Sequence, residues 1–236
     1  MPDDRRPLGH ELPFYYAEKA PCPYLPGQIE RKLFVQLTGL QPSNDVINAC
    51  LVAGGFRRSL DILYRPACEA CHACRPVRVN APAFCPSRSQ KRVIKRNKDL
   101  YATLEPISQA GGLYPLFRVY MEKRHAQSEM AIMDEGMFQD MLHPGLVTSY
   151  ALILRHKGTG EVKGCMLVDD VGEGMSAVYS FFDPTQPARS LGHYLIISLI
   201  EAVRQNGKKW AYLGYAIEGV PNMSYKLAYK PREIIP

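Results

Sequence analysis

Residues 150–182, YALILRHKGTGEVKGCMLVDDVGEGMSAVYSFF, hold three apolar runs separated by two glycine-bracketed turns. Tyr150–Arg155, Val162–Val168 and Ser176–Phe182 are each long enough for a strand. Gly158-Thr159-Gly160 and Gly172-Glu173-Gly174 supply the tight connections between them. The stretch therefore reads as a three-stranded antiparallel meander. Downstream, Leu191–Gln205 sets Leu195, Ile196, Leu199, Ile200 and Val203 on one stripe of a helix that stops at Asn206-Gly207. Trp210–Leu213 and Ser224–Tyr229 then read as two further strands.

Upstream, six prolines within residues 1–30 favour an extended or looped segment anchored by Phe14, Tyr15, Tyr16 and Tyr24. Ser43 is placed to cap a helix bearing Val46, Ile47, Cys50 and Leu51 and ending at Gly54-Gly55. Ile62–Tyr64 and Val77–Val79 read as strands, with Cys68, Cys71 and Cys74 in the loop between them. Ser87 is positioned to cap a helix running through Arg88, Lys91, Arg92, Lys95, Arg96 and Lys98. Tyr101–Leu104 follows as a strand, then helices near 113–124 and 135–142.

The composition is that of a globular protein: 236 residues, 46% hydrophobic and 22% charged. No apolar run reaches the ~20 residues of a membrane span, and the polar, proline-interrupted start lacks a signal-peptide core. The expectation is a cytoplasmic protein without a membrane partner. Seven cysteines, an odd number, fit reduced thiols or metal ligands better than an oxidised framework. Charge is lopsided. Residues 1–100 carry 16 Lys and Arg against 9 Asp and Glu, whereas residues 101–236 carry 13 against 14. This divides the chain into a basic, cysteine-bearing region 1–98 and an α/β domain 99–236, with an anionic partner for the first.

Hairpinned strands, a helix and then more strands resemble the GNAT-like acyltransferase fold, in which an amine meets an activated acyl group where the central strands splay. Acyl-coenzyme A users of that fold read Q/R-x-x-G-x-G/A at the helix start, so that backbone N–H groups close on the pyrophosphate. Here the turn is Arg189-Ser190-Leu191-Gly192-His193-Tyr194. Tyr194 replaces the last small residue, and its ring is expected to crowd a pyrophosphate. An acyl-coenzyme A N-acetyltransferase is thus the first alternative, and a non-enzymatic, metal-stapled RNA-binding module the second.

Several ordered blocks narrow the choice. Cys22-Pro23-Tyr24-Leu25-Pro26, Arg57–Pro66, Cys68-x-x-Cys71-x-x-Cys74 running into Arg75-Pro76-Val77-Arg78, and Ser87–Asn97 resemble the N-terminal region of the bacterial arginyl-transferase family. Tyr179–Pro184, Leu213-Gly214-Tyr215 and Met223–Lys226 resemble blocks of its C-terminal domain, in the same order. The resemblance implies an enzyme, an aminoacyl-tRNA–protein transferase that moves an amino acid from charged tRNA to a protein N-terminus and so marks the protein for degradation. For the cysteine-bearing bacterial branch it implies leucine, taken from leucyl-tRNA and given to proteins that begin with Asp or Glu. No cofactor is required for that transfer.

The basic segment Arg88, Lys91, Arg92, Lys95, Arg96 and Lys98, uninterrupted by an acid, suits a tRNA backbone. Asp183, at the end of the third meander strand, is a candidate to accept a proton or orient the attacking ammonium, and equally a turn-forming Asp-Pro. Tyr215 is paired with it as a catalytic candidate. Arg78 is the first candidate to read the acceptor carboxylate, with Arg75 and Arg58 behind it. Tyr179, Tyr212 and Tyr225 are candidates for substrate binding. Cys22, Cys68, Cys71 and Cys74 have the chemistry to bind zinc or an iron–sulfur cluster, or to remain free thiols.

Overall fold

The computed structural model describes residues 12–39, 54–143 and 147–235, together with Ile47, Cys50 and Leu51. Of the helix expected after Ser43, Ser43 and Val46 lie outside the described residues. The chain forms two compact units, dividing after His72. That is earlier than the boundary expected at residue 98. Strand pairing is the reason, because residues 75–80 belong to the large sheet of the second unit.

The first unit contains a four-stranded antiparallel sheet of β1 (Tyr15–Tyr16), β4 (Lys32–Gln36), β5 (Arg57–Ser59) and β6 (Ile62–Pro66), in the order β1-β4-β6-β5. Short strands β2 (Ala20–Pro21) and β3 (Ile29–Glu30) pair beside it in sequence. Val35 and Leu63, each 0% exposed, form its apolar centre.

The second unit is built on a seven-stranded sheet. Its strands are β7 (Arg75–Asn80), β8 (Leu100–Pro106), β9 (Ser149–His156), β10 (Val162–Asp170), β11 (Gly174–Phe182), β12 (Trp210–Ala216) and β13 (Arg232–Ile234). The order is β13-β7-β12-β11-β10-β9-β8. The meander expected from the glycine-bracketed runs is β9-β10-β11, antiparallel throughout. Its alternation buries both faces. Leu152, Leu154, Met166 and Val168 enter one apolar cluster, while Ala151, Ile153, Cys165 and Leu167 enter the other.

Helix α4 (Leu191–Gln205) packs on the first face with Leu195, Leu199 and Val203 fully buried. Truncating such a leucine to alanine costs roughly 2–5 kcal/mol. Helices α2 (Tyr114–Arg124) and α3 (Glu135–Met141) cover the second face through Phe117, Tyr120, Met121 and Phe138. The basic helix α1 (Arg88–Arg96) packs against α4 through its buried Val93, while the buried Gln90 donates to the Ala228 carbonyl at 3.3 Å. Its start is a capping box: the Gln90 N–H donates to Ser87 Oγ at 3.4 Å, and the Ser87 N–H donates to Gln90 Oε1 at 2.8 Å.

One expected strand is not a strand. Residues 224–228 fall in helical turns, α5 (Pro221–Ser224) and the tighter turn Tyr225–Ala228, and Tyr229 follows them in a bend. Pro221 sits in the first turn of α5, where its fixed φ favours a helix. The sheet edge is instead β13, which pairs with β7 through Arg232, Glu233 and Ile234. Among the described residues no helix is long and apolar enough to cross a membrane.

Candidate active-site cleft

Strands β11 and β12 are parallel, but they pair only over Gly174–Ser176 with Trp210–Tyr212. A Cβ on Gly174 would lie 2.3 Å from the Trp210 carbonyl oxygen, so only glycine lets the strands meet there. Beyond Ser176 they separate. The bulge at Val178 adds to the divergence: Leu167 faces Tyr179 while Val168 faces Ala177, leaving Val178 without a partner opposite. The extra residue switches the parity of the strand. Met175 and Ala177 face the α4 side, whereas Tyr179 and Phe181 face α2 and α3.

The opening is a cavity of about 650 Å³ walled by the end of β11, the start of α4, the end of α2 and the Pro221–Lys226 turns. Its charged side chains are Arg124, Lys226 and Asp183, joined by His125 and His193. Ser190 enters α4 with φ 55°, a left-handed conformation that turns the chain sharply into the helix. Leu191, Gly192 and His193, at the N-terminal end of α4, line the cavity. A Cβ at Gly192 would press to 3.0 Å on the Phe182 ring, so the glycine keeps this wall in place.

Asp183 lies in the cleft with its carboxylate already engaged. Oδ1 accepts from the Thr185 N–H at 2.9 Å and the Thr185 hydroxyl at 2.6 Å, and Oδ2 accepts from Lys163 Nζ at 3.4 Å. Burial raises its pKa, but the Thr185 and Lys163 bonds outweigh that and hold it below the usual carboxylate range. The group is an anion and a weak base. His193 Nδ1 and the hydroxyl of the buried Tyr229 are 2.7 Å apart, and burial lowers the imidazole pKa. Tyr120 Oη and His125 Nε2 are 3.1 Å apart, and the Tyr120 ring packs 4.9 Å from Phe182.

Of the tyrosines expected at the site, Tyr179 and Tyr225 line the cleft. Tyr179 donates to Met121 Sδ at 3.2 Å, and burial raises its pKa. Tyr212 and Tyr215 are buried along β12 and do not line it. Arg78 is also elsewhere. It sits 3.9 Å over the Trp210 ring and donates to Glu233 Oε2 from Nε at 3.0 Å and NH2 at 2.7 Å. β7 lies between β12 and β13, so its arginine is captured by the neighbouring edge strand. Arg75 is exposed on the same strand, and Arg58, in the first unit, is buried and donates to the Leu60 carbonyl at 2.9 Å.

Tyr194 does not crowd the helix start. Its ring packs on the α4 side of the core and faces a separate hollow with Ala102 and Ile197. Arg189, the residue a pyrophosphate would need, is held by Asn97 at 2.9 Å and Asp99 at 2.5 Å. The six basic side chains of the Arg88–Lys98 segment are all exposed, with Arg96 donating to the Ala188 carbonyl at 2.9 Å.

Cys22, Cys68, Cys71 and Cys74 are partly buried and take part in no disulfide among the described residues. Cys68 Sγ accepts from the Arg31 N–H at 3.5 Å and lies 3.7 Å from the Arg31 carbonyl oxygen. Among the described residues no group of three or more Cys, His, Asp or Glu side chains is arranged to hold a metal ion.

The sequence matches the family described as arginine-tRNA-protein transferase, its C-terminal part over residues 113–236 and its N-terminal part over residues 20–92. The chain belongs to this family. The aspartate/glutamate leucyltransferase of Methylobacterium nodulans is 41% identical over 232 residues, covering 93% of this chain and 92% of that protein. That of Sphingopyxis alaskensis is 42% identical over 225 residues, covering 93% and 87%. Among solved structures FemX superposes with a TM-score of 0.50 at 7% identity, over 87% of this chain and 80% of its own, a likeness of fold alone. This member of the family is thus an aminoacyltransferase built on a GNAT-like α/β fold. Arg124, His125, His193 and Lys226, unforeseen from sequence, are the polar side chains this fold brings to its cleft beside Asp183.

Proposed function

We propose that this transferase moves leucine from leucyl-tRNA to the N-terminal amine of proteins that begin with Asp or Glu. One observation carries the reading: the roughly 40% identity, over nearly the whole chain, to relatives named aspartate/glutamate leucyltransferase. The amine nitrogen attacks the ester carbonyl, an amide bond forms, the ester C–O bond breaks, and the ribose hydroxyl leaves with a proton that began on the amine. Aminolysis of an ester runs downhill, so the protein's task is alignment and supply of a neutral amine. An ionised Asp183 holds the incoming ammonium next to the ester before its proton is lost. The exposed cations from Arg88 to Lys98 hold tRNA phosphates, and Tyr179 and Tyr225 pack against the bound groups. The product is a protein marked for degradation in the cytoplasm.

Coenzyme A fits less well, since Arg189 is committed to Asn97 and Asp99. The reaction needs no cofactor beyond charged tRNA. Zinc or iron on the cysteines would have a structural part only, and metal analysis of freshly purified protein measures whether either is present. The function itself is tested by incubating the protein with mixed charged tRNAs and a peptide beginning with Asp. A mass gain equal to one leucine residue is expected; no gain, or acetylation when acetyl-coenzyme A is supplied, overturns the reading.

A further inference from the structure

The cleft carries one carboxylate and two permanent cations, Asp183 against Arg124 and Lys226. An N-terminal Asp or Glu presents the complementary pair: an ammonium on the α-carbon and a carboxylate one or two methylenes beyond it. The two cations differ in availability. Lys226 Nζ donates to the Tyr215 carbonyl at 2.6 Å and lies 5.6 Å from the Tyr225 ring centre, so it is tied to the floor of the cleft. Arg124 ends α2 and is exposed, and its side chain makes no hydrogen bond or ion pair among the described residues. The backbone that carries it is held in place through its neighbours. His125 bonds Tyr120, Tyr120 packs on Phe182, and Phe182 directly precedes Asp183. The end of α2 and the end of β11 are thereby held together across the mouth of the cleft.

We infer that Arg124 reads the side-chain carboxylate of the acceptor's first residue while Asp183 holds its ammonium. The inference rests on the transferase reading above and names its specificity residue. A guanidinium grips a carboxylate through two parallel bonds, which a neutral side chain of the same shape cannot return. Asn in place of the acceptor Asp leaves the fork unpaired, so discrimination arises from the missing charge rather than from size.

The test compares wild type, Arg124→Gln and Arg124→Lys on two peptides that differ only in beginning with Asp or Asn, with leucyl-tRNA as donor. Wild type is expected to favour Asp. Arg124→Gln is expected to lose about tenfold or more in kcat/KM on the Asp peptide and to change little on the Asn peptide, so that the preference collapses. Lysine restores part of it, because an ammonium keeps the charge without the fork. Transfer to the Asn peptide doubles as the check that the variant is folded. An Asp-over-Asn preference unchanged in Arg124→Gln overturns the inference, as does a rise confined to the KM for leucyl-tRNA, which would make Arg124 a phosphate contact. Failure of wild type to transfer leucine to either peptide refutes the transferase reading instead.

Discussion

Arg189 and Asn97 exchange hydrogen bonds: Arg189 Nε donates to Asn97 Oδ1 at 2.9 Å, and Asn97 Nδ2 donates back to the Arg189 carbonyl at 2.9 Å. Asn97 is the C-cap of the basic helix α1 and is 0% exposed, and Arg189 belongs to the turn that leads into α4. The pair welds the surface proposed for tRNA to the wall of the cleft. Burial pushes the Asp99 carboxyl up, but Arg189 more than offsets this and keeps it below its usual range.

Asn97→Ala removes a buried donor that also caps Val93, where Nδ2 reaches the carbonyl at 2.9 Å, and strands the Arg189 carbonyl. The expected loss is about 2–3 kcal/mol, or roughly 4–12 °C in Tm for a domain of this size. Thermal unfolding followed by circular dichroism measures it, and a shift under 2 °C would show the pair to be ornamental.

Charge reversal at Lys91, Arg92 and Lys95, which leaves Arg96 on the Ala188 carbonyl, is expected to weaken tRNA binding and raise the KM for leucyl-tRNA far more than that for the peptide. The slope of log affinity against log salt should become shallower by about 2–3. Filter binding across a salt series reads both, and an unaltered slope places the tRNA elsewhere.

Because Asp183 is held ionised by Thr185 and Lys163, it does not set the pH dependence of transfer. kcat/KM is expected to rise through the pKa of the acceptor amine, about 7.7–8.0. Asp183→Asn should lower the rate about tenfold or more without moving that midpoint. A midpoint displaced in the variant would make Asp183 the base.

Burial, joined at His125 by the Arg124 charge, lowers the pKa of both His125 and His193 below the ordinary 6.5. The unfolded chain binds more protons below that value, so their contribution is intact above pH 6.5 and is lost as pH falls toward the folded pKa values. Tm should therefore drop as pH falls below about 6.5, and the double variant His125→Gln, His193→Gln should flatten that drop. Scanning calorimetry over this range decides it; equal slopes would assign the loss to carboxylates.

The sequence by itself determined what depends on local pattern. Alternating apolar residues produced β9, β10 and β11, a 3.6-residue stripe produced α4, and Ser87 with Gln90 started α1, because each is specified within a few residues. Family blocks spread along the chain pointed to a transferase for a related reason: several ordered matches constrain the identity together. Which side chains meet in the cleft was not local. The Val178 bulge reverses the faces of Tyr179 and Phe181, and a one-residue register shift leaves no mark in composition. Arg78 reads as available in the sequence, but β13 brings Glu233, 155 positions away, onto its guanidinium. The pattern of Ser224–Tyr229 resembles a strand, yet Pro221, whose fixed φ favours a helix start, leads residues 221–228 into helical turns. Arg124 carries no sequence signal because a helix pattern identifies the face that is buried, and not which exposed residue ends beside a cleft. Only the packing of α2 against β11, through Tyr120 and Phe182, placed that charge across from Asp183.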